Sequence, residues 1–454
     1  MRVAVVGCGY VGLVTGAGLA SLGHHVVGIE SDLSRLTPIS EGKPPFHEPG
    51  LPALLASAIK DGAFEASADL SRIAEADVVF LAVQTPPRDD GSIDLRFVRE
   101  AAGQISNTFA GRPRRRVLAI RSTVLPGTTD ALRVLFDSET AVASNPEFLQ
   151  ESTAVQDFLH ADRIVVGVHE PWARDVLTEL YSPLGAPLVA TTPASAELAK
   201  YASNALLATL ISFSNEFAAI SEAFPDVDVE EVLGAVHLDR RLSPRVDGAI
   251  VRPGILAFLK AGCGYGGSCL PKDLSALIAS RNAVGEAHPL LDAVRAVNDS
   301  QPGRVVGLLE RGLGELAGRP IGVLGLAFKA GTDDVRTSPG LRAVDELHGR
   351  GARVFAYDPL VRAEAVAPWL EHGLTLVHGV EELLVKVEGC LISTGAPEFT
   401  TAADVAATHG TLLLDGRRLL APEKLGKRHL AVGRTVPHPV SGRQGMPPGT
   451  PMSS

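Results

Sequence analysis

The segment Gly266–Asp273, with the sequence GGSCLPKD, brings a cysteine, a lysine and a carboxylate together. Pro271 suits the first turn of a helix, so Cys269 is predicted at a helix start. The helix dipole and the neighbouring Lys272 would both stabilise a thiolate, and we therefore expect a lowered pKa and a nucleophilic role for Cys269. Asp273 in the same turn is placed to orient a water. The alternative is a buried cysteine without a chemical role.

Two further pairs of polar residues have spacings that suit work on an oxygen atom. Lys200 and Asn204 are four apart on a predicted helix and share a face, where they could stabilise an alkoxide or a thiohemiacetal oxygen. A solvated helix face is the alternative. Glu147 and Glu151 are four apart in a proline-containing loop and suit a general base and a positioning group. An ordinary capped helix start is the alternative there.

A nucleotide-binding turn is predicted near the start of the chain. Gly7, Gly9 and Gly12 form G-x-G-x-x-G between a predicted strand and a predicted helix. The first glycine allows a tight turn, the second lets a pyrophosphate approach, and the third lets helix and strand pack closely. Glu30 ends the next predicted strand, where a carboxylate binds ribose hydroxyls and repels a 2′-phosphate, which favours NAD. A glycine-rich turn without a ligand is the alternative.

The remaining pattern predicts the elements that must position these residues. Short apolar runs alternate with helical stretches over residues 1–190, which predicts a doubly wound α/β domain. Arg121-Ser122-Thr123 follows one predicted strand, at the edge that faces the ligand crevice. Residues 191–300 read as helical, with a long helix over 194–224 and a loop over 242–254. Residues 301–430 repeat the first architecture, and 431–454 are expected to be a disordered tail.

The predicted fold class is therefore α/β, with two Rossmann-like doubly wound domains joined by a helical middle domain that contains a long central helix. The net charge of -10 over 454 residues disfavours nucleic acid or an anionic membrane as partner. The four cysteines form no C-x-x-C pair, so no metal site is predicted. The sequence has no run of about 18 apolar residues and no signal-peptide pattern, so no membrane span is expected. The expected location is the reducing cytoplasm.

Nine sequence blocks follow one another in an order that carries a resemblance. They are GCGYVGLVTGAGLA (7–20), EPGL (48–51), STVLPGTT (122–129), SNPEFLQES (144–152), DRIVVG (162–167), AKYASNALLAT (199–209), GYGGSCLPKD (264–273), LGLAFKAGTDDVRTSP (324–339) and AYDP (356–359). Through them, up to about residue 430, the chain resembles the UDP-glucose/GDP-mannose dehydrogenase family.

The resemblance implies an NAD domain, a helical middle that forms a dimer interface and a C-terminal nucleotide-binding domain. It implies a four-electron oxidation of a nucleotide-sugar C6 alcohol to the uronic acid through a cysteine thiohemiacetal and thioester, with UDP-glucose favoured. GDP-mannose or a UDP-N-acetylhexosamine is the alternative substrate. An inactive nucleotide-sugar-binding protein and a two-domain hydroxyacid dehydrogenase are more remote alternatives.

The resemblance also assigns roles to individual positions. The implied catalytic residues are Cys269, Lys200, Asn204, Glu147, Thr123 and Asp273. The implied cofactor contacts are Gly7, Gly9, Val11, Gly12, Glu30, Arg35, Thr85, Thr123, Glu151, Lys272 and Arg336. The implied substrate contacts are Glu147, Phe148, Leu149, Gln150, Glu151, Lys200, Asn204, Phe258, Leu259, Lys260, Ala261, Gly262, Gly266 and Lys329.

The sequence departs from the family pattern at a few positions. Glu30 stands where the family more often has Asp, and Leu270 stands where UDP-glucose enzymes usually have Phe. The stretch 242–255 is longer than in the commonest UDP-glucose enzymes, which affects the transfer of nearby arginines such as Arg241. Arg417-Arg418 is expected to contact the nucleotide, without a choice between the two.

Overall fold

The computed structural model describes residues 1–420 and 428–434. Two sheets of parallel strands, one near each end of the chain, are joined by a helical segment with a long central helix. The predicted fold class is confirmed. Within the described residues, no helix combines the length and the apolar character needed to cross a membrane.

The first sheet has eight strands, and its core strands are buried apolar runs covered by helices on both faces. The strands are β1 (Arg2–Val6), β2 (His25–Ile29), β3 (Phe64–Ser67), β4 (Val78–Leu81), β5 (Arg116–Ile120), β6 (Thr140–Ser144), β7 (Ile164–Gly167) and β8 (Leu188–Thr191). Their order is β3-β2-β1-β4-β5-β6-β7-β8, and every pairing is parallel except β6–β7. Strand β1 pairs with β2 on one side and with β4 on the other, so the strand order reverses at β1, as in a doubly wound fold.

Seven helices connect the strands of the first sheet. They are α1 (Tyr10–Ser21), α2 (Leu33–Ser40), α3 (Leu51–Lys60), α4 (Arg96–Phe109), α5 (Thr128–Arg133), α6 (Ala154–Leu159) and α7 (Pro171–Tyr181). Helix α1 is buried along most of its length because its residues are small and apolar, which lets it lie directly on the sheet.

The middle of the chain is built on α8 (Pro193–Glu222), a helix of 30 residues. Thr192 caps its first turn by accepting the Ser195 N–H, and Pro193 occupies the first helical position. The other helices here are α9 (Val229–His237), α10 (Leu270–Val284) and α11 (Pro289–Leu313). Both α10 and α11 pack against α8.

Two features of the middle segment add detail to the prediction. The loop predicted over 242–254 contains a small hairpin of β9 (Arg245–Val246) and β10 (Ala249–Ile250), too short to leave a strand pattern in the sequence. The boundary predicted after residue 300 falls inside α11. That helix packs against α8 on one side and against a helix of the second sheet on the other, so it is shared between the two units.

The second sheet has six parallel strands in the order β13-β12-β11-β14-β15-β16. The strands are β11 (Pro320–Leu324), β12 (Arg353–Tyr357), β13 (Thr375–Leu376), β14 (Gly389–Ile392), β15 (Leu412–Asp415) and β16 (His429–Ala431); the helices are α12 (Pro339–Gly349), α13 (Ala367–Glu371), α14 (Val380–Lys386) and α15 (Ala402–His409). Ala431 is a buried strand residue and Arg434 pairs with Asp228, so 431–434 belong to the fold rather than to the predicted tail. Residues 435–454 of that prediction lie outside the described residues.

Candidate active site

Five of the predicted site residues lie where strands of the first sheet end. Gly7 follows β1, Glu30 follows β2, Thr85 lies beyond β4, Thr123 beyond β5 and Glu147 beyond β6. Because β1, β2, β4, β5 and β6 all run parallel, their carboxyl ends meet at one edge of the sheet, which is where doubly wound folds bind ligands. The structure therefore brings these five residues to one edge although they are spread over 140 positions.

The three glycines of the turn have different reasons to be glycine. Gly7 has φ +95°, and a Cβ there would lie 2.6 Å from the Ala82 carbonyl oxygen. A Cβ on Gly12 would collide with the carbonyl oxygen of Gly7. A Cβ on Gly9, in contrast, would meet nothing nearer than the Arg35 guanidinium at 3.8 Å. The protein itself leaves room at Gly9, which is the place where a pyrophosphate would approach.

The rest of this edge fits the other parts of a dinucleotide. Gly9 precedes α1 with no side-chain cap among the described residues, so the first N–H groups of α1 remain available to an anion. Glu30 is buried, and one carboxylate oxygen accepts the Asp32 N–H at 3.0 Å. Val11 and Thr85 are half-buried along the same edge. The residues present therefore fit NAD, with Glu30 facing the ribose and the turn facing the phosphates.

Cys269 lies at the start of α10, as predicted. The backbone N–H of Asp273 donates to its carbonyl oxygen at 2.9 Å, which makes Cys269 the residue that opens the helix. Of the four cysteines, Cys269 is exposed and Cys8, Cys263 and Cys390 are buried. Cys269 is therefore not packed in the core as the other three cysteines are.

The glycine-rich loop before Cys269 is held by the second sheet's domain. Gly267 donates its N–H to the Arg336 carbonyl oxygen at 2.9 Å and accepts from the Thr337 hydroxyl at 2.8 Å. A Cβ on Gly266 would collide with the Thr337 carbonyl oxygen, and one on Gly267 would lie 2.8 Å from the Phe328 ring. The close packing of these glycines fixes the loop, and it places Cys269 where all three parts of the chain meet.

The sequence predicts a lowered pKa for Cys269, but in the structure this pKa is raised. Cys269 is exposed as a residue, but the protein atoms packed around its thiol desolvate it and raise its pKa. The Lys200 ammonium offsets only part of that effect, and the carboxylates of Glu147 and Asp273 raise the pKa further. Lys272 does not serve as the neighbouring cation, because it donates to Asp273 at 2.6 Å. Cys269 is therefore a protonated thiol in the resting protein.

Alkylation of Cys269 by iodoacetamide is expected to accelerate with rising pH well beyond the range of an ordinary thiol. The thiolate is the reactive form, and a raised pKa means that it forms only at higher pH. Lys200→Met should move the midpoint higher still, since it removes the cation that lowers this pKa. Mass spectrometry of the labelled peptide over a pH series measures both midpoints. A midpoint near or below neutral pH would contradict the arrangement.

Lys200 and Asn204 lie side by side on α8 and are both buried, so the solvated-face alternative is wrong. The Lys200 Nζ atom lies 2.9 Å from Glu147 Oε1, and the Asn204 amide donates to Asp273 Oδ2 at 2.6 Å. Burial alone would raise the pKa of Glu147 and lower that of Lys200, but the attraction between them reverses both shifts. Glu147 and Lys200 therefore form a buried ion pair beside Cys269.

Glu151 links the two α/β parts of the chain. Its carboxylate accepts from the Thr332 hydroxyl at 3.2 Å and lies 3.3 Å from the Arg336 guanidinium. Burial and the neighbouring Asp334 carboxylate raise the pKa of Glu151 to about 7, although Arg336 opposes them. Lys329 is half-buried nearby, and burial lowers its pKa against the attraction of Glu151. Glu151, Lys329 and Arg336 thus meet between the domains.

The predicted substrate contacts fall into two groups. Phe148 is half-buried, with the Arg163 guanidinium stacked on its ring at 3.9 Å, and Leu149 donates its N–H to Glu147. Phe258 is half-buried, whereas Leu259 and Ala261 are buried in the core. Gln150 and Lys260 are exposed. The N–H of Gly262 donates to the Asn215 side chain, and its carbonyl oxygen accepts from the Gln301 side chain. In the second group, residues 258–262, Phe258 and Lys260 are therefore the side chains accessible to a ligand.

Comparisons with known proteins address the family directly. The UDP-glucose/GDP-mannose dehydrogenase family models match in three parts: the NAD binding domain at 1–185, the central domain at 194–300 and the UDP binding domain at 322–422. The chain belongs to this family. A UDP-glucose 6-dehydrogenase from Haloferax volcanii is 37% identical over 435 residues, covering 92% of this chain and 97% of the relative.

Solved structures agree with the family assignment. A UDP-glucose dehydrogenase from Pyrobaculum islandicum is 37% identical with a TM-score of 0.86, covering 96% of this chain and 98% of that one. A UDP-D-ManNAc dehydrogenase from Pyrococcus horikoshii is 26% identical with a TM-score of 0.82, covering 96% and 100%. The resemblance inferred from the nine sequence blocks is confirmed. The protein is an NAD-dependent nucleotide-sugar dehydrogenase.

The structure distinguishes Arg417 from Arg418, between which the sequence offers no choice. Arg418 is buried and its guanidinium binds Asp228 at 2.6 Å, so it joins the second sheet's domain to the middle segment. The Arg417 guanidinium instead lies 3.3 Å from the position that a Cβ of Gly262 would take, beside the predicted substrate segment. The sequence signal, two arginines after a strand ending at Asp415, could not separate them, because the choice depends on where Asp228 and Gly262 lie.

Proposed function

We propose that the protein oxidises UDP-glucose to UDP-glucuronate in two NAD-dependent steps at one site, with the sugar held on Cys269. The observation that carries the proposal is the exposed Cys269 thiol beside two buried pairs, Lys200–Glu147 and Asn204–Asp273. These supply a nucleophile, a cation for a developing oxyanion and carboxylates for proton transfer. An inactive binding protein would have no need to keep this set together, and a two-domain hydroxyacid dehydrogenase leaves the second sheet unexplained.

The choice of UDP-glucose is supported by relatives and by the third family match. The Haloferax volcanii relative and the Pyrobaculum islandicum structure are both UDP-glucose dehydrogenases at 37% identity, and the last part of the chain matches a UDP binding domain. A UDP-N-acetylhexosamine is the second candidate, since the UDP-D-ManNAc dehydrogenase has the same fold at lower identity. GDP-mannose is the third, and Leu270 after the cysteine is familiar in enzymes that use it.

An NADH-formation assay over a panel of UDP- and GDP-sugars tests the substrate assignment. We expect UDP-glucose to give the highest kcat/KM, with the UDP-N-acetylhexosamines and GDP-mannose at least about tenfold lower, as a pocket that discriminates one substituent allows. A higher kcat/KM for GDP-mannose would replace the substrate and leave the chemistry intact. NADH formation with none of these sugars would favour a binding protein.

The first oxidation converts the C6 alcohol to an aldehyde. NAD, when bound along the first sheet's edge, supplies the hydride acceptor for both oxidations. C6 gives up its hydride to the cofactor and the hydroxyl proton passes to solvent water, and we assign Lys200, Asn204 and Thr123 to hold the oxygen during that loss. Thr123 is half-buried just beyond β5, on the same edge as Glu147. The aldehyde remains in the cleft because the Cys269 thiol is next to it.

The second oxidation takes place on the cysteine. The Cys269 sulfur forms a bond to C6, its proton passes to the former aldehyde oxygen, and the product is a thiohemiacetal. Loss of a second hydride and of the hydroxyl proton gives a thioester. Since the resting thiol has a raised pKa, its proton must leave as the C–S bond forms, and Lys200 is the cation that stabilises the negative charge on the oxygen until that proton reaches it. The covalent bond prevents release of the reactive aldehyde.

Hydrolysis of the thioester completes the reaction. Water adds to C6, the C–S bond breaks, and the sulfur recovers a proton, so the net change consumes one water and yields one carboxylate and two NADH. Glu147 or Asp273 is the base for this water. The structure favours Glu147: both Asp273 oxygens are held by Asn204 and Lys272, whereas Glu147 gains a free oxygen when Lys200 turns to the substrate. We assign Arg417, which lies beside Gly262 in the predicted substrate segment, to the diphosphate.

We also propose that the protein forms a homodimer through α8. Leu206, Phe213 and Ile220 are seven residues apart, so they form one apolar stripe, and their exposed fractions are 53%, 42% and 47%. An exposed apolar stripe on a helix whose other face is buried is typical of a protein–protein interface. Leu206→Arg with Ile220→Arg is expected to give monomers in analytical ultracentrifugation. Leu290→Arg, at a leucine outside α8 that is 63% exposed, is the control and should leave the mass unchanged; monomeric wild-type protein would contradict the proposal.

A further inference from the structure

Arg121 lies directly after β5 and is buried beneath the loop that carries Glu147. Its Nη1 atom donates to Asn145 Oδ1 at 3.0 Å, to the Asn145 carbonyl oxygen at 3.3 Å and to the Pro146 carbonyl oxygen at 3.4 Å. All three acceptors belong to the two residues that immediately precede Glu147. Arg121 therefore fixes the backbone from which the Glu147 side chain leaves.

Asn145 is held from other directions as well. It is fully buried, its amide nitrogen donates to the Val165 carbonyl oxygen at 2.8 Å, and its side-chain oxygen accepts from the Tyr181 hydroxyl at 2.6 Å. Arg121 and Tyr181 thus share one acceptor, and one of them is charged while the other is neutral. This difference allows the effect of charge to be separated from the effect of the hydrogen bonds.

The charge of Arg121 has no counter-ion of its own. Among the described residues it forms no ion pair with a carboxylate, and its Nε atom is buried without a hydrogen-bond partner. A buried charge is costly unless something nearby compensates it. The charge of Arg121 acts on Glu147. Burial raises the pKa of the Glu147 carboxyl, and the positive charges of Lys200 and, to a smaller extent, Arg121 lower it.

We propose that Arg121 is the positioning residue for Glu147, holding its loop in place and supplying a fixed positive charge that keeps it a carboxylate when Lys200 turns away. The inference rests on the proposed function, in which Lys200 must leave Glu147 to reach the sugar oxygen. A buried carboxylate that lost its ion-pair partner would take up a proton and cease to be a base. Arg121 cannot move with the substrate because its hydrogen bonds are to the protein itself.

The other charged groups around Glu147 do not provide this fixed charge. Cys269 is a neutral thiol at rest, and Arg163 is stacked on Phe148. The cavity behind the loop is also lined by Asp157, His160 and Asp162. Asp157 already accepts from the Gln150 N–H and the Thr153 hydroxyl. Arg121 is the cation among these groups that bonds to the segment carrying Glu147.

The test compares three variants by the pH dependence of kcat for uronate formation. Glu147 works as a base, so losing a cation that lowers its pKa should move the acidic limb of the profile to higher pH. For Arg121→Gln we expect the ratio of kcat at about pH 6 to kcat at about pH 9 to fall roughly tenfold, with KM for the nucleotide sugar little changed. Arg121→Lys keeps the charge and should return the limb to its wild-type position. Tyr181→Phe removes the neutral hydrogen bond and should lower the thermal midpoint without moving the limb.

Three results would overturn the inference. They are an unchanged acidic limb in folded Arg121→Gln, a rise in KM alone, which would make Arg121 a ligand contact, and a shifted limb in Tyr181→Phe equal to that in Arg121→Gln. If Arg121→Gln does not fold, Arg121→Lys decides, since a moved limb there contradicts a role for charge. If Glu147→Gln stalls hydrolysis while Arg121→Gln keeps the wild-type profile, only the inference fails; if Glu147→Gln turns over normally, both the base assignment and the inference fail.

Discussion

Cys269→Ser is expected to abolish the overall oxidation, lowering the rate of uronate formation by about a thousandfold or more. The serine hydroxyl is a far weaker nucleophile than a thiol, and the second oxidation needs the covalent bond to C6. Chromatographic quantification of the uronate over time measures the loss. Nucleotide-sugar binding, measured by calorimetry, should be retained, because the substitution removes no charge and leaves the glycine-rich loop in place.

Cys390→Ala is the matched control for this experiment. Cys390 is buried in β14 of the second sheet, and it has no part in the proposed chemistry. We expect wild-type activity per folded molecule with a lower thermal midpoint, because a small cavity replaces the sulfur. Uronate formation by Cys269→Ser at a rate close to that of the wild type would exclude the covalent route.

Glu147→Gln is expected to stop the reaction at the thioester. The amide has nearly the shape of the carboxylate but cannot take a proton from water, so hydrolysis should slow by roughly 10²- to 10⁴-fold while both oxidations proceed. The expected result is a burst of two NADH per active site followed by slow turnover. Intact-mass spectrometry should then show the acylated protein, and hydroxylamine should release the acyl group from Cys269.

The substitution also leaves the buried Lys200 without its partner. Breaking a buried ion pair on one side costs about 3–5 kcal/mol in the free energy of unfolding, so denaturant unfolding must accompany the kinetics. Asp273→Asn is the comparison variant, because it removes the other candidate base. Accumulated thioester in Asp273→Asn but not in Glu147→Gln would transfer the role of base to Asp273.

Local patterns in the sequence were sufficient for most of the fold. The strands around Val5, Val79 and Val323 are short buried apolar runs, the pattern that predicts an α/β domain over 1–190 and its repeat over 301–430. Strand β6 has a weaker signal in the sequence, because Thr140–Ser144 consists mainly of small residues that are equally common in loops. Strand β8 lies at the sheet edge and is partly exposed, so it lacks the continuous apolar run of a central strand.

Parts of the site that depend on residues close together in the sequence could be predicted. Parts that depend on residues brought together by folding could not. The nucleotide-binding turn needs only Gly7, Gly9 and Gly12, and its geometry follows from their spacing. The electrostatics of Cys269 were predicted wrongly from Lys272, its neighbour in the sequence. Besides Asp273 in the same turn, the thiol is affected by Lys200 and Glu147, and these two approach Cys269 only when the distant parts of the chain fold together.

The role of Arg121 shows the same limit more sharply. Its position after a strand of the first sheet placed it at the ligand edge, beside Ser122 and Thr123. Its direction could not be read from the sequence, because the acceptors belong to Asn145 and Pro146, in the loop that follows the next strand of the sheet. A residue at a ligand edge can point at the ligand or support the residue that does, and only the folded neighbours distinguish the two.

The most direct test of the account is the ratio of NADH to uronate formed from limiting UDP-glucose, with an aldehyde trap such as semicarbazide present. A single site that keeps the sugar on Cys269 through both oxidations predicts two NADH for each uronate and no trapped aldehyde. One NADH for each sugar consumed, with the aldehyde recovered on the trap, would contradict the covalent double oxidation.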